Sequence, residues 1–283
     1  MEKKSTGERL EFYYFSDVTV EHLHRYAMVN DFVSGKKVLD IASGEGYGSY
    51  LMAERALEVI GVDIDFETIE NAKLKYSKKN LRFLVGRADK IPVLTNSIDV
   101  VVSFETIEHH DKHNEMLAEI KRVLKDDGVL IMSSPDKKYY SDLTGQHNPY
   151  HVKELYFKEF NELVNKSFHF TKYYYQNSFN FNSFISSFES INKFKVFYGD
   201  ENGLKDESIV PLYNIVIASE VDGYSICDSF FNGTQITKRA SDRFEQMLKS
   251  NLTLEWKKSN TFKIGNFIIF PFYIIKQKLK QIF

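Results

Sequence analysis

Five of the eight histidines of this chain fall between residues 109 and 151: His109, His110, His113, His147 and His151. Two clusters stand out among them. The first is Glu105-x-x-Glu108-His109; if that stretch turns helical, its members share one face, because positions i, i+3 and i+4 are neighbours on a helix. The second is Gln146-His-Asn-Pro-Tyr-His-Val152. Imidazole changes its protonation close to neutral pH and is suited to moving protons. Carboxylates combined with imidazole also make good ligands for a divalent metal. A Glu-His pair can equally cap a helix and pack without doing chemistry. Asp136 offers a third candidate base, whereas His110 and His113 read as solvated helix residues.

These groups need elements to hold them, and the chain supplies an alternation of short apolar runs and helical patterns. Val38-Leu39-Asp40 is followed at once by Ala42, Ser43, Gly44, Gly46 and Gly48 and then by a helix-compatible segment. The order is strand, tight turn, helix. Small residues let backbone approach a ligand, and a new helix points unpaired N–H groups into the same space. On its own the loop is only a strand-to-helix turn. Its surroundings add to it: a second strand over 58–65 carries Asp63, 23 residues after Asp40, at the distance where an acid reaches a ribose diol. A third segment over 81–93 carries Asp89 just after a strand; further strands are expected over 97–110 and 127–135. Such alternation predicts an α/β core with a parallel sheet and crossover helices. In open sheets of this kind ligands bind at the carboxyl edge, where both histidine clusters fall.

The pattern Asp-x-Ala-Ser-Gly-Glu-Gly-Tyr-Gly over 40–48, followed by Asp63 and Asp89, resembles class I S-adenosylmethionine-dependent methyltransferases over residues 20–135. A dinucleotide fingerprint would instead read G-x-G-x-x-G. The resemblance implies a Rossmann-like, seven-stranded methyltransferase sheet with helices on both faces and S-adenosylmethionine as cofactor. It assigns the methionine part to the loop with Asp40, Gly44 and Gly46, the ribose to Asp63 and the adenine amino group to Asp89. Ala42 departs from the usual glycine but is small. Ser43, Ile64, Ala88, Lys90 and Phe104 complete the implied cofactor site. A helix over 21–32 would lie over the cofactor, with Arg25 pairing to its carboxylate and Tyr14 or Tyr26 covering it; the alternative is a surface arginine on an amphipathic helix. The E-x-x-E-H pattern is similar to that of metal-assisted ribose and quinone O-methyltransferases. Carried over, Glu105, Glu108, His109 and either His147 or His151 would bind the metal. The loop His147-Asn-Pro-Tyr-His-Val-Lys-Glu-Leu155 also resembles methyltransferases of bacterial surface-polysaccharide genes, which implies a sugar or glycan precursor, methylated on a hydroxyl or a phosphate-type group. A small lipophilic acceptor such as a quinone, and a non-catalytic cofactor-binding scaffold, are the rival readings.

Composition sets the outer bounds. The chain has 283 residues, 43 % of them hydrophobic, and a net charge of −2, which disfavours a nucleic-acid partner. Its single cysteine, Cys227, fits a reducing cytoplasm, and the first fifteen residues contain no apolar stretch of a secretory signal. Residues 1–220 are expected to form the methyltransferase domain. A helix is expected over 153–168, with further strands over 171–179 and 212–220 forming an antiparallel edge hairpin and a polar flap between them. Residues 221–283 then form a C-terminal helical extension. From Lys257 onward there are six lysines and no acids among dense Phe and Ile. Residues 263–283 thus suit peripheral contact with an anionic membrane or a partner protein, or packing on their own domain.

Overall fold

A computed structural model describes residues 16–145, 147–190 and 195–259. Tyr14 and the segment 263–283 lie outside them. Five parallel strands make the core: β1 (Lys37–Ile41), β2 (Glu58–Asp63), β3 (Leu81–Val85), β4 (Ile98–Phe104) and β5 (Leu124–Pro135). Strands covered on both faces read as continuous apolar runs, and β1 is buried from Val38 to Ile41. The helices that precede, join and follow them are α1 (Asp17–Met28), α2 (Asn30–Val33), α3 (Tyr47–Met52), α4 (Phe66–Lys75), α5 (His113–Val123) and α6 (Phe157–Asn165). Alternate strand residues face opposite helix layers. Leu39, Ile60, Val101 and Leu130 meet α5 and α6 through Leu117, Ile120 and Phe160. Val38, Val59, Val100 and Val129 meet α1, α2 and α3 through Tyr26, Val33 and Met52.

Past α6 the chain adds β6 (Phe170–Phe179), β7 (Asn182–Ser187), the ribbon β8 (Lys195–Asp200) with β9 (Gly203–Ser208), then β10 (Tyr213–Ser219) and β11 (Ser229–Asn232). The sheet order is β11-β7-β6-β10-β5-β4-β1-β2-β3. β10 slots antiparallel between β5 and β6, as the expected hairpin requires. Among the described residues the sheet nevertheless has nine strands where seven were expected. After Phe179 the chain reverses through Asn180 and Phe181, both left-handed, with φ of 50° and 59°. That is the signature of a two-residue primed hairpin turn, and it returns β7 onto β6; β11 then pairs with β7. The expected polar flap is the separate ribbon β8–β9. One compact unit runs to Gly233, beyond the expected boundary at 220, and the second begins at Thr234 with the helix α7 (Thr234–Lys258). No helix among the described residues is long and apolar enough to cross a membrane.

The turn from β1 into α3 is built on backbone that side chains seldom allow. Gly46 caps α3 with φ of 83°, and a Cβ there would lie 2.7 Å from the Phe83 ring. Ala42 also takes a left-handed φ, 57°, which explains why glycine is the usual residue at this point. Ala42→Gly is expected to stabilise the fold by up to about 1.5 kcal/mol. This is the left-handed penalty of about 1–2 kcal/mol less the extra freedom glycine gives the unfolded chain, about 0.5–1 kcal/mol. Thermal denaturation of the two proteins checks it; an unchanged or lowered Tm would show that Ala42 is not strained.

Candidate functional site

A cavity of about 380 Å³ opens at the carboxyl ends of β1, β2 and β4, within the range of small-molecule sites. The loop after β1 forms its floor. Ser43 N–H donates to the Val62 carbonyl at 3.0 Å and Gly46 N–H to the Ser43 carbonyl at 3.0 Å. Asp63, at the end of β2, braces the loop: its Oδ2 accepts the Gly44 N–H at 2.9 Å and its Oδ1 accepts the Asp65 N–H at 3.0 Å. No protein atom comes within 4 Å of where a Gly44 Cβ would be, so the space above the loop is open. A carboxylate has about four acceptor positions, and Asp63 still lines the cavity after bracing the loop.

Ala42, Ser43, Gly44, Asp63, Ile64, Ala88, Asp89 and Phe104 all line this space. Ile64, 65 % exposed beside Asp63, gives the rim an uncovered apolar face. Asp89 is held by Arg87 through two bonds of 2.7 Å and by Lys112 at 2.9 Å. These partners hold its carboxyl well below the usual range. Three other expected cofactor residues stand behind the lining. Gly46 starts the helix, Lys90 forms an isolated bridge with Arg87, and Asp40 lies beneath the loop, accepting Ser49 Oγ at 2.6 Å and a hydrogen bond from Tyr26. Burial pushes Asp40 up to about 7.

Arg25 departs from both readings of the sequence. It is not on the surface, and it stands behind Glu105 rather than among the residues that line the cavity. Its side chain is fully buried, 3.1 Å from Glu105, with Nε donating to Gln176 Oε1 at 2.6 Å and the guanidinium 4.5 Å above the Tyr213 ring. The neighbours of Arg25 on α1 reach the cavity instead: Tyr26 and His22 line it. His22 Nδ1 lies 2.6 Å from the Tyr47 hydroxyl, and burial, with the Arg25 charge, lowers its pKa well below the usual range. His22 was not anticipated, although its place four residues before Tyr26 puts both on one helix face.

The candidate catalytic residues separate into two groups. The expected helix over 105–109 is only a 3-10 turn, Ile107–His109. Glu105 precedes it with a left-handed φ of 49°. Glu105 Oε1 accepts Ser133 Oγ at 2.6 Å and opposes Arg25. Glu108, His109 and His151 form the other group, their donor atoms all within 4.8 Å of one another. The two rings lie edge to face, 5.1 Å between centroids. His109 Nδ1 lies 3.0 Å from the Tyr150 carbonyl, and His151 Nδ1 lies 2.5 Å from Glu154 Oε1. Burial, and then the Glu105 charge, push the Glu108 carboxyl well above the carboxylate range. His147 is exposed outside this group. Asp136 is buried and committed to Asn214 Nδ2 and the Lys138 N–H, both at 3.0 Å. His110 is half-buried and His113 is buried, neither of them solvated. His113 Nε2 meets the His110 carbonyl at 2.7 Å, and burial lowers the pKa of both.

Residues 39–132 match a family model described as a methyltransferase domain. A probable S-adenosylmethionine-dependent methyltransferase of Mycolicibacterium smegmatis is 35 % identical over 169 residues, 56 % of this chain and 62 % of the relative. A demethylmenaquinone methyltransferase of Renibacterium salmoninarum is 30 % identical over 101 residues, 36 % of this chain and 42 % of the relative. The chain therefore spans about three fifths or less of the length of these relatives. The crystal structure of YcgJ from Bacillus subtilis superposes with a TM-score of 0.54 at 19 % identity, covering 71 % of this chain and all of the other. The fold is thus that of the methyltransferase structures: a Rossmann-like sheet, parallel at its core.

Asp40 makes stability depend on pH in a definite direction. The unfolded carboxyl ionises near pH 4, the folded one near 7. Between these values the folded state binds more protons, so this contribution to stability is present at low pH and falls as pH rises through the window. Denaturant titrations from pH 4 to pH 7 are expected to show that decline in the wild type and a weaker one in Asp40→Asn. Identical profiles would mean that Asp40 is ionised in the fold throughout.

Proposed function

We propose that this chain, whose core is a class I methyltransferase fold, transfers a methyl group from S-adenosylmethionine to a hydroxyl oxygen. The observation that carries the reading is the cavity itself. Its floor is a glycine loop braced by Asp63, its side wall holds Asp89 and exposed Ile64, and His109 stands in its lining. That set fits the cofactor: hydrogen-bond acceptors for a ribose diol at Asp63, an acid near the adenine edge at Asp89, and apolar contact for a flat base at Ile64. When bound, S-adenosylmethionine supplies an electrophilic methyl on a sulfonium. The remaining work falls to the protein. The loop and the Tyr26–Phe104 wall hold the reactants in line, which is where most of the rate enhancement of such a displacement originates. His109 is the proton acceptor we assign. Its Nδ1–H donates to the Tyr150 carbonyl, which leaves Nε2 to take the hydroxyl proton as the new C–O bond forms and the C–S bond breaks.

For the acceptor we propose a sugar or glycan precursor. Support comes from the segment beside His109, where Tyr140 stacks on His151 at 5.5 Å and Tyr150 is exposed. Aromatic faces beside Asn148, His151 and Lys153 suit a ring that carries hydroxyls. A small lipophilic acceptor such as a quinone is the second reading, favoured by the named activity of the Renibacterium relative. The basic, acid-free segment 263–283 we assign to an anionic surface or a partner protein on its composition.

Asp63→Ala is expected to weaken S-adenosylhomocysteine binding about 10- to 150-fold in calorimetry, the loss of charge-assisted bonds of about 1.5–3 kcal/mol. His109→Ala is expected to lower turnover about 10²- to 10⁴-fold on the accepted substrate, nucleotide-linked sugar against reduced quinone, at unchanged cofactor affinity. Full turnover in His109→Ala would remove its role as base, and no cofactor binding by the wild type would remove the function. Full-length protein is expected to sediment with vesicles containing anionic phospholipid and to stay in solution when 263–283 is deleted. Equal partitioning of both would remove that segment from any membrane role.

A further inference from the structure

We propose that α7 is a lipid-contacting helix, whose apolar half lies on the surface of an anionic bilayer with its basic side chains at the headgroups. Nothing in this depends on transferase activity. It extends the assignment of 263–283 in two ways: lipid is named as the occupant, and α7 is the element that meets it.

The first observation is the pattern of α7. The helix has 25 residues, a length of roughly 38 Å at the helical rise. Between Ala240 and Trp256 its residues divide by face at the helical period. Phe244, Leu248, Leu252 and Trp256 recur every four residues and make one ridge. Met247 and Leu254 widen it. These six side chains are 48–62 % exposed. On the opposite half every residue is polar: Asp242, Arg243, Gln246, Lys249, Ser250 and Thr253. Ser241, Asn251 and two acids interrupt the apolar half; of the acids, Glu245 is paired with Lys249 at 2.6 Å and Glu255 lies near the middle. Most helical stability comes from packing an apolar face, and here that face is still exposed. An exposed apolar patch marks a contact site.

The second observation is charge, and it decides which surface. Residues 234–283, the whole second unit, hold ten of the chain's 37 basic residues and three of its 39 acidic ones. That unit carries +7 and the rest of the chain −9, although the net charge is only −2. Within α7, Arg243 and Lys249 stand at the two borders of the apolar half, and Lys257 and Lys258 close the last turn. Long basic side chains at such borders lay their methylenes on apolar groups while their charges reach headgroup phosphates. A second copy would set +7 against +7, whereas an anionic bilayer offers the opposite charge along the whole helix. α7 is not apolar enough to cross a bilayer, so the geometry that remains is in the plane of the interface.

The chain's single tryptophan, Trp256, is the probe. Full-length protein is mixed with phosphatidylcholine vesicles and, separately, with vesicles that also contain phosphatidylglycerol. A blue shift of Trp256 emission, and its quenching by brominated lipid, are expected with the anionic vesicles only and are expected to fade at high salt. The double variant Leu248→Gln/Leu252→Gln, with 263–283 left in place, is expected to weaken vesicle affinity about 10-fold or more. Glu255→Gln is expected to strengthen it, and Gln246→Ala, on the polar half, to leave it unchanged. Circular dichroism of each variant checks that α7 still forms. Trp256 emission unmoved by anionic vesicles overturns the proposal; if the protein still sediments with them, the assignment of 263–283 stands without α7. Emission already blue-shifted in buffer also overturns it: reversal on dilution makes a second copy the occupant, and persistence on dilution makes it the chain itself. An equal shift with neutral vesicles overturns the choice of an anionic surface.

Discussion

Two N–H groups, those of Val152 and Lys153, converge on one carbonyl, that of Glu108, and the placement of His109 beside His151 depends on that junction. It couples the turn after β4 to the long connection after β5. Without it, His109 and His151 would belong to independent loops, and the geometry between them would vary with every loop motion. Backbone hydrogen bonds fix the relative placement of the segments more firmly than side chains do, because no rotamer change can release them. The side chains then need only small adjustments, and Tyr150, Glu154 and Ser141 restrict even those.

Beneath this edge lies a set of buried charges that balance one another. Arg25 faces Glu105, and Glu21 accepts from the Tyr213 hydroxyl at 2.9 Å. Desolvation raises the Glu21 carboxyl, while Arg25 acts in the opposite sense. A buried ion pair is weak evidence for stability, but removing one partner leaves the other uncompensated. The arrangement therefore gives α1, β4 and β6 one acceptable mutual placement. Asp40, beneath the same helix α1 through Tyr26, belongs to the same logic: burial pushes its carboxyl up to about 7.

What was legible in the sequence was local. Val38 to Asp40, the small residues after them and the acids at 63 and 89 announce their elements through short-range pattern, and these elements form the cavity floor and wall. The helix α6 follows from apolar spacing alone. Longer-range features were not legible. Arg25 reads as an exposed or ligand-directed charge because its partners, Glu105 and Gln176, stand 80 and 151 positions away in the chain. β7 escaped because its reversal uses Asn180-Phe181, without the glycine that ordinarily marks a primed turn. Glu105, Glu108 and His109 share a face only if the stretch is helical; a left-handed residue at 105 sends the first of them elsewhere. Glu154 carried no signal, since a lone acid near a helix start usually serves the helix.

The antiparallel end of the sheet has one further effect, on traffic. His24 of α1 reaches Ser183 of β7 and Ser229 of β11, each at 3.0 Å. Gln176 of β6 donates to the Glu21 carbonyl at 3.0 Å, and Asp17 accepts the Phe181 N–H at 2.6 Å. The antiparallel strands β6, β7 and β11 and the turn at Phe181 therefore rivet α1 along its length. A helix anchored at so many points is a wall, not a door. Elsewhere on the rim, by contrast, the side chains of Arg87 and Lys112 stand about half exposed around Asp89.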